Sequence, residues 1–349
     1  EKSLPHPPSK TLAEFSGINI FELARDESEL REWLKKVGPR EVMQKLLSDS
    51  GKGSALDCHR EAHTIGRVSY SLFGASVFQL QGAWCHSGFY HGAMEAFLVE
   101  QGTSNLSKNI EEICSSFDTS FGRFECLHGI GHGLMANANY DLPLALETCG
   151  LLSTDYDRSS CYGGVFMENI VAAQGFGAIQ DHDTKWANRD DPQFPCNAVN
   201  QDFSVQYQCW QMQTSWMLTL KDYNFELVRD ECLKVRPDMI LVCFKSLGRD
   251  AAGFTLRNPQ KIAEICSKVP QEKGYYEQCV IGATNVIIDF WGSGLEDQAI
   301  ELCRALPDMG KNPCYQTLAS RLNDVFAKTQ ERMKVCKNFE ADYVVLCRL

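Results

Sequence analysis

Apolar residues in the second half of the chain recur at three- and four-residue intervals, the spacing that lines one face of an α-helix. Ile262, Ile265 and Val269 make one such face, and Val280, Ala283, Val286 and Ile287 make the next. Between these runs lie short polar segments rich in Pro, Gly, Asp and Ser. Val235-Arg236-Pro237-Asp238 and Ala305-Leu306-Pro307-Asp308-Met309-Gly310 are examples, and a helix does not readily continue through them. The pattern predicts helical hairpins in which two helices of roughly a dozen residues share one apolar seam.

The cysteines mark the period of those hairpins. From Cys114 onward they fall into close pairs: 114 with 126, 149 with 161, 196 with 209, 232 with 243, 266 with 279, 303 with 314 and 336 with 347. The second members advance by 35, 48, 34, 36, 35 and 33 residues, the period of a helix-turn-helix repeat. The expected fold is all-α, a disulfide-stapled solenoid of hairpins about 35 residues long, with the first cysteine of each pair ending one helix and the second beginning the next. Cys58 and Cys85 complete the set as an eighth pair with a longer loop. Four segments follow: a tail and capping helices over 1–50, histidine-rich repeats over 51–180, an inserted loop over 181–200 that accounts for the long step, and distal stapled repeats over 201–349. The loop, running through Asp181 to Pro192, reads as a solvated connector, with a lid over a site or a weak calcium loop as its functional alternatives.

Composition narrows the setting. The chain has 349 residues, 44% hydrophobic and 23% charged, which suits a large folded core. Its net charge of −11 and its scattered cations would repel a phosphate backbone, so nucleic acid is excluded as a partner. No run of eighteen or more apolar residues occurs, so no membrane span is expected. Sixteen cysteines without a single Cys-x-x-Cys argue for oxidised pairs rather than thiolate metal sites. An oxidising compartment follows: secreted, periplasmic or lumenal, with any signal peptide already removed ahead of Glu1. The glycosylation sequon Asn105-Leu106-Ser107 agrees with that.

The histidines carry the chemistry. Six of eight lie between residues 59 and 132, in Cys58-His59-Arg60-Glu61-Ala62-His63, Cys85-His86-Ser87-Gly88-Phe89-Tyr90-His91-Gly92 and Cys126-Leu127-His128-Gly129-Ile130-Gly131-His132-Gly133. A purely structural histidine would recur through the repeats, whereas these are confined to one end. His59 and His63, like His128 and His132, are four apart and share a helix face. The spacing of five between His86 and His91 suits a helix start or a π-bulge. Glu95 follows His91 by four, and Glu168 follows the same register in the next unit. Gly88, Gly92, Gly129, Gly131, Gly133, Gly163 and Gly164 are poor helix formers, so their concentration here implies close backbone packing or room for ions.

Six imidazoles and two carboxylates form a nitrogen and oxygen ligand set suited to zinc, copper, iron or manganese. Eight candidates exceed the needs of one ion, so one or two ions are expected, with His59, His63, His86, His91, His128 and His132 as ligands. Glu95 and Glu168 stand as catalytic candidates, as ligands, as partners that orient an imidazole, or as a general base. Glu61 is two residues from both His59 and His63 and points off their face. Tyr90, Tyr162 and Phe89 read as packing, as do Trp210, Trp216 and Trp291. Met212 and Met217 do not form a copper-binding run, His6 reads as solvated, and His182 in the inserted loop is a minor candidate ligand.

The two glycine- and histidine-rich octapeptides, Cys85 to Gly92 and Cys126 to Gly133, resemble the Cys-Gly-His-rich repeats of theta-class carbonic anhydrases over about 50 residues. That resemblance implies zinc-bound water as a nucleophile. The distal half is similar in architecture to tetratricopeptide and Sel1-type arrays, which implies protein binding. The reading that results is a metal-dependent enzyme acting through metal-activated water or oxidative chemistry. A repeat scaffold that binds a protein or glycan around a structural metal is the alternative, and a metal-capture protein the third.

Overall fold

In a computed structural model the chain is helical. The structure describes residues 4–5, 7–50, 58–80, 85, 88–115, 117–175, 184–199, 201–289 and 294–348. His6, His86, His182 and Trp291, together with 181–183 and 200 of the inserted loop, lie outside them. Eighteen α-helices are described: α1 (Ser9–Ser16), α2 (Ile20–Leu23), α3 (Glu27–Val37), α4 (Pro39–Asp49), α5 (His59–Phe73), α6 (Gly88–Gln101), α7 (Leu106–Cys114), α8 (Ser120–Asn137) and α9 (Leu142–Cys149), then α10 (Asp155–Ala173), α11 (Phe203–Leu220), α12 (Phe225–Cys232), α13 (Ile240–Phe254), α14 (Pro259–Ser267), α15 (Tyr275–Asp289), α16 (Glu296–Ala305), α17 (Asp308–Val325) and α18 (Thr329–Cys336). Two 3-10 segments, Gly74–Gln79 and Ala341–Arg348, complete the described elements, and no strand occurs among the described residues. None of these helices is long and apolar enough to cross a membrane.

All eight expected cysteine pairs stand at disulfide distance, with Cα atoms 5.4 to 6.1 Å apart. Their placement differs in detail from the expectation. In half of the pairs the first cysteine closes a short helix, since α7, α9, α12 and α18 end on one, and Cys266 and Cys303 lie within two residues of the ends of α14 and α16. The second lies three to six residues inside the following helix, because the half-cystine fills an apolar core position and must face inward to be buried. Cys126, Cys161, Cys209, Cys243, Cys279 and Cys314 are all 1% exposed or less. Cys196 sits in a turn segment rather than a helix. Cys58 caps the start of α5 and Cys85 precedes α6, so this pair joins two helix beginnings rather than the two arms of a hairpin.

The chain divides into two compact units. Unit 1 comprises Glu1–Asp118, Gly122–Glu168 and Phe176–His182; unit 2 comprises Thr119–Phe121, Asn169–Gly175 and Asp183–Leu349. In unit 1, α3 and α4 pack on α5, and α5 packs along α6. In unit 2, α11 packs on α13, α13 on α15 and α15 on α17, with the shorter α12, α14 and α16 against them. The short helices bury one stripe, as at Phe225, Val228 and Cys232 of α12. The long ones are enclosed on nearly every side, and α8 is buried continuously from Glu125 to Ala136. An amphipathic stripe suits an outer helix and an all-round apolar surface an inner one.

Two local devices recur. The first links a long helix to the next short one through two consecutive residues at positive φ: Asn139 and Tyr140, Asp222 and Tyr223, Leu256 and Arg257. In each case the second residue's N–H reaches back to a carbonyl five residues earlier, and Asp141, Asn224 or Asn258 then caps the next helix through its side chain. The second device is a pair of glycines where two long helices touch. A β-carbon at Gly66 would collide with the Phe89 carbonyl, and one at Gly92 with the His63 carbonyl. The same reciprocal contact joins Gly131 to Cys161 and Gly164 to His128, and again Gly248 to Cys279 and Gly282 to Lys245. Along α5 and α6 the contacts advance together, His59 against Gly88 and His63 against Gly92, so these helices run in the same direction.

The inserted segment is not a loose solvated connector over its described residues. Asn169 donates to the Trp186 carbonyl at 2.8 Å, Gln206 to Cys196 at 3.0 Å, and Gln213 to Pro192 and Phe194 at 2.9 and 2.8 Å. Both glutamines are fully enclosed, at 0% and 1% exposure, so their amides must find partners, and the loop's carbonyls supply them.

Candidate metal centre

Three imidazoles converge in unit 1. The ligating atoms of His59 and His63 on α5 and of His91 on α6 lie within 4.8 Å of one another. The i, i+4 spacing brings the Nε2 atoms of His59 and His63 to 3.2 Å. Two nitrogens held by one tetrahedral ion at about 2.0–2.1 Å would stand roughly 3.3 Å apart, so the pair has the spacing of two ligands on one ion. The His91 ring centroid lies 5.4 Å from that of His59 and 5.3 Å from that of His63. It reaches them because Gly92, the residue after it, lets α6 come down onto the α5 backbone at His63.

The tautomer of His59 is set by its surroundings. Its Nδ1 lies 2.8 Å from the Cys85 carbonyl oxygen, which can only accept, so the lone pair falls on Nε2. That carbonyl is aimed by an unusual turn, since Cys85 holds φ of 51° and is fixed to the start of α5 by its disulfide to Cys58. A non-glycine residue there costs of order 1 kcal/mol or more, which the surrounding structure must offset.

Burial keeps these rings in their ligating form. Desolvation lowers the pKa of His59 and takes those of His63 and His91 well below the ordinary histidine value, with repulsion from the neighbouring imidazoles adding to it. Neutral imidazole is the species that binds metal. Both ring nitrogens of His91 and Nδ1 of His63 have no hydrogen-bond partner within the fold. Leaving such buried atoms unsatisfied costs about 1–3 kcal/mol each, a cost that a coordinated ion removes.

His128 and His132 on α8 extend the cluster. The His132 ring stacks on His91 at 4.0 Å between centroids and 16° between planes, and its centroid is 5.0 Å from that of His128. Its Nδ1 faces Glu168 Oε2 at 2.8 Å, and the hydroxyl of Tyr140 donates to Glu168 Oε1, also at 2.8 Å. The carboxylate thus fixes the Nδ1–H tautomer of His132, whose Nε2 is buried with no partner. Glu95 goes elsewhere. One turn beyond His91, it pairs with Arg67 of α5 at 3.3 Å, while burial raises its pKa against the opposing pull of Arg67. Glu61, though off the His59 and His63 face, is buried and paired with Arg60 at 3.1 Å.

The arrangement therefore brings together five of the six histidines named from sequence, with Glu168 among them and Glu95 one turn away in an ion pair. His86 lies outside the described residues. Two contributors were not legible from the motifs, Tyr140 and Met167. The sulfur of Met167 lies 3.3 Å from His128 Nε2. A signal for it existed: Met167 follows Cys161 by six residues, as His132 follows Cys126. Phe89, Trp210 and Trp216 are buried packing residues as expected, and Tyr90 is a core residue whose hydroxyl donates to the Leu80 carbonyl. Against protein-family models, curated proteins and solved structures, the chain has no match.

Proposed function

We propose that the chain is a metal-dependent enzyme of an oxidising compartment, built as an array of disulfide-stapled hairpins of about 35 residues, in which His59, His63 and His91 hold one transition-metal ion. The observation that carries this reading is the convergence of three imidazoles, His63 and His91 buried and His59 part-exposed, two of them at ligand spacing. Three protein ligands leave a tetrahedral ion one open position, the feature that separates a catalytic from a structural site. His59 is the part-exposed member of the group, so the solvent side of the site lies at its ring. Such an ion supplies Lewis acidity to a coordinated water or, as copper or iron, redox chemistry. The chain's own groups orient and exclude. The Cys85 carbonyl holds His59, Glu168 and Tyr140 hold His132 beside His91, and the enclosed helices α6 and α8 keep bulk water away.

The array reading rests on the recurrence of the glycine contact and of the double positive-φ link. The scaffold alternative draws on unit 2, which has the same glycine contact without imidazoles.

The test is elemental analysis of untagged protein purified without added metal, followed by metal reconstitution and assays for carbon dioxide hydration, ester hydrolysis and oxygen or peroxide consumption. After reconstitution with zinc, one equivalent in the wild type, absent from His91→Ala, together with metal-dependent turnover in one of those assays, is expected. Unchanged metal content in His91→Ala would remove the site, and a loaded protein inert in all assays would favour the scaffold.

A further inference from the structure

Beside the three-histidine group, α8 and α10 bring together a second set of potential ligands of a different chemical kind. His128 Nε2 and Met167 Sδ are 3.3 Å apart. His132, four residues on, has its ring centroid 5.0 Å from that of His128 at 60° between planes, close to the 4.7 Å and 66° of the His59 and His63 pair. His128 and His132 are 6% and 3% exposed. The bland account of Met167 is packing, with the imidazole N–H resting on a weak thioether acceptor. Packing alone leaves two features of the neighbouring ring unaccounted for. His132 Nε2 is buried without a partner, and the carboxylate of Glu168, itself braced by Tyr140, holds that ring in the tautomer that presents a lone pair. A carboxylate-oriented histidine is the usual support of a metal ligand. The close approach of α10 to α8 that places Met167 depends on Gly131 and Gly164, at which any β-carbon would strike the opposite backbone.

We infer that His128, His132 and Met167 form a second metal site, selective for Cu(I), with Glu168 and Tyr140 as residues that position His132. Thioether sulfur is a soft ligand that zinc and other harder ions do not seek, whereas Cu(I) takes it readily together with imidazole. The first group, all nitrogen, makes no such distinction. The two sites meet where His132 stacks on His91, yet each has its own ligands, so each can be emptied without removing a ligand of the other.

The test uses the full, disulfide-intact chain loaded anaerobically with Cu(I) under ascorbate, with affinity measured by competition against a chromogenic Cu(I) chelator and ligands identified by copper X-ray absorption. The wild type is expected to hold two Cu(I) ions with a sulfur scatterer in the averaged spectrum. Met167→Leu, which nearly conserves volume, should lose the sulfur signal and weaken one of the two ions by roughly tenfold or more, with zinc binding unaltered. His63→Ala should lose the other ion and keep the sulfur signal. Glu168→Gln should weaken the sulfur-bearing site alone. A wild-type spectrum without sulfur, or Met167→Leu with both copper affinities intact, overturns the second site. Loss of the His63-dependent ion from the wild type, with the sulfur site present, would instead count against the three-histidine reading.

Discussion

The helix pair α8 and α10 in unit 1 and the pair α13 and α15 in unit 2 are built on one frame and do different things with it. In both, a glycine of each helix meets the carbonyl three residues before the partner's glycine. His128 thereby takes the place that Lys245 holds in unit 2, and one turn on His132 takes the place of Arg249. In unit 2 the polar ends are paired: Lys245 reaches the Tyr207 hydroxyl at 2.8 Å, and Arg249 pairs with Asp250 at 2.7 Å. In unit 1, by contrast, His91 has neither ring nitrogen partnered and His132 lacks a partner at Nε2. Backbone packing and chemistry are thus separable here. The frame supplies stability in both units, and what sets unit 1 apart is a cluster of unsatisfied buried imidazole nitrogens, which cost stability, at the proposed metal centre.

The largest effects should come from the frame itself. Gly92→Ala and Gly282→Ala each drive a methyl into a backbone carbonyl, and each should cost about 3 kcal/mol or more by overpacking. Thermal unfolding checks the loss. Metal content then separates the pair, because only Gly92→Ala should also lose the ion. If both variants keep metal, the coupling of α6 placement to ligand convergence is wrong.

The disulfides sharpen the contrast next. Removing Cys303 and Cys314 together should cost roughly 3 kcal/mol, as expected for opening a loop of about a dozen residues, and leave metal affinity untouched. Removing Cys58 and Cys85 should also weaken the metal by roughly 10- to 100-fold, since that bridge anchors the carbonyl that orients His59. Equal metal affinity in the two double variants, read by chelator competition, would break the comparison.

Acid should move the two units in opposite directions. The metal-free histidines His59, His63 and His91 have folded pKa values below the ordinary 6.5. Below that value the unfolded chain takes up protons that the fold refuses, so unit 1 loses stability as pH falls from about 6.5. Asp289 on α15 is the reverse case: burial pushes its carboxyl up to about 6. The neutral form is favoured in the fold, and its stabilising contribution is lost as pH rises through that value. Hydrogen exchange resolved by region, between pH 7 and 5, should show α5 and α6 losing protection while α15 does not.

The smallest effect is a transplant. Lys245→His places an imidazole at the position of His128, but the positions that match His91 and Met167, six residues after Cys209 and Cys279, carry Ser215 and Asn285 rather than an imidazole or a thioether. It should change stability by less than about 1 kcal/mol and bind no metal. Tight metal binding by this variant would mean that the frame, not the ligand set, creates the site.

These contrasts also explain what could be read in advance. The seven close cysteine pairs were legible because each bridge is local and recurs at one spacing, whereas Cys58 with Cys85, 27 residues apart, followed only as the remainder of the count. The helices were legible from apolar periodicity, and the imidazole cluster from His59 and His63 or His128 and His132 sharing a face. Register across helices was not. The glycine contacts decide that Gly92 seats against His63 and Gly164 against His128, and single-helix patterns carry no information about neighbours. Met167 was missed because a methionine in an enclosed helix is packing by default, and Tyr140 because its hydroxyl arrives through a turn rather than a motif. Glu95 was adjacent to the right residue, but Arg67 on the facing helix claims it.

Every bridge in the chain joins a cysteine to the next cysteine in order, and seven of the eight span only 11 to 13 residues. A polypeptide emerging from a translocation pore, amino terminus first, would therefore meet each correct thiol before any competitor appeared. Such an order of arrival lets oxidation proceed without reshuffling, so that a sixteen-thiol chain can reach one covalent isomer with little help from an isomerase.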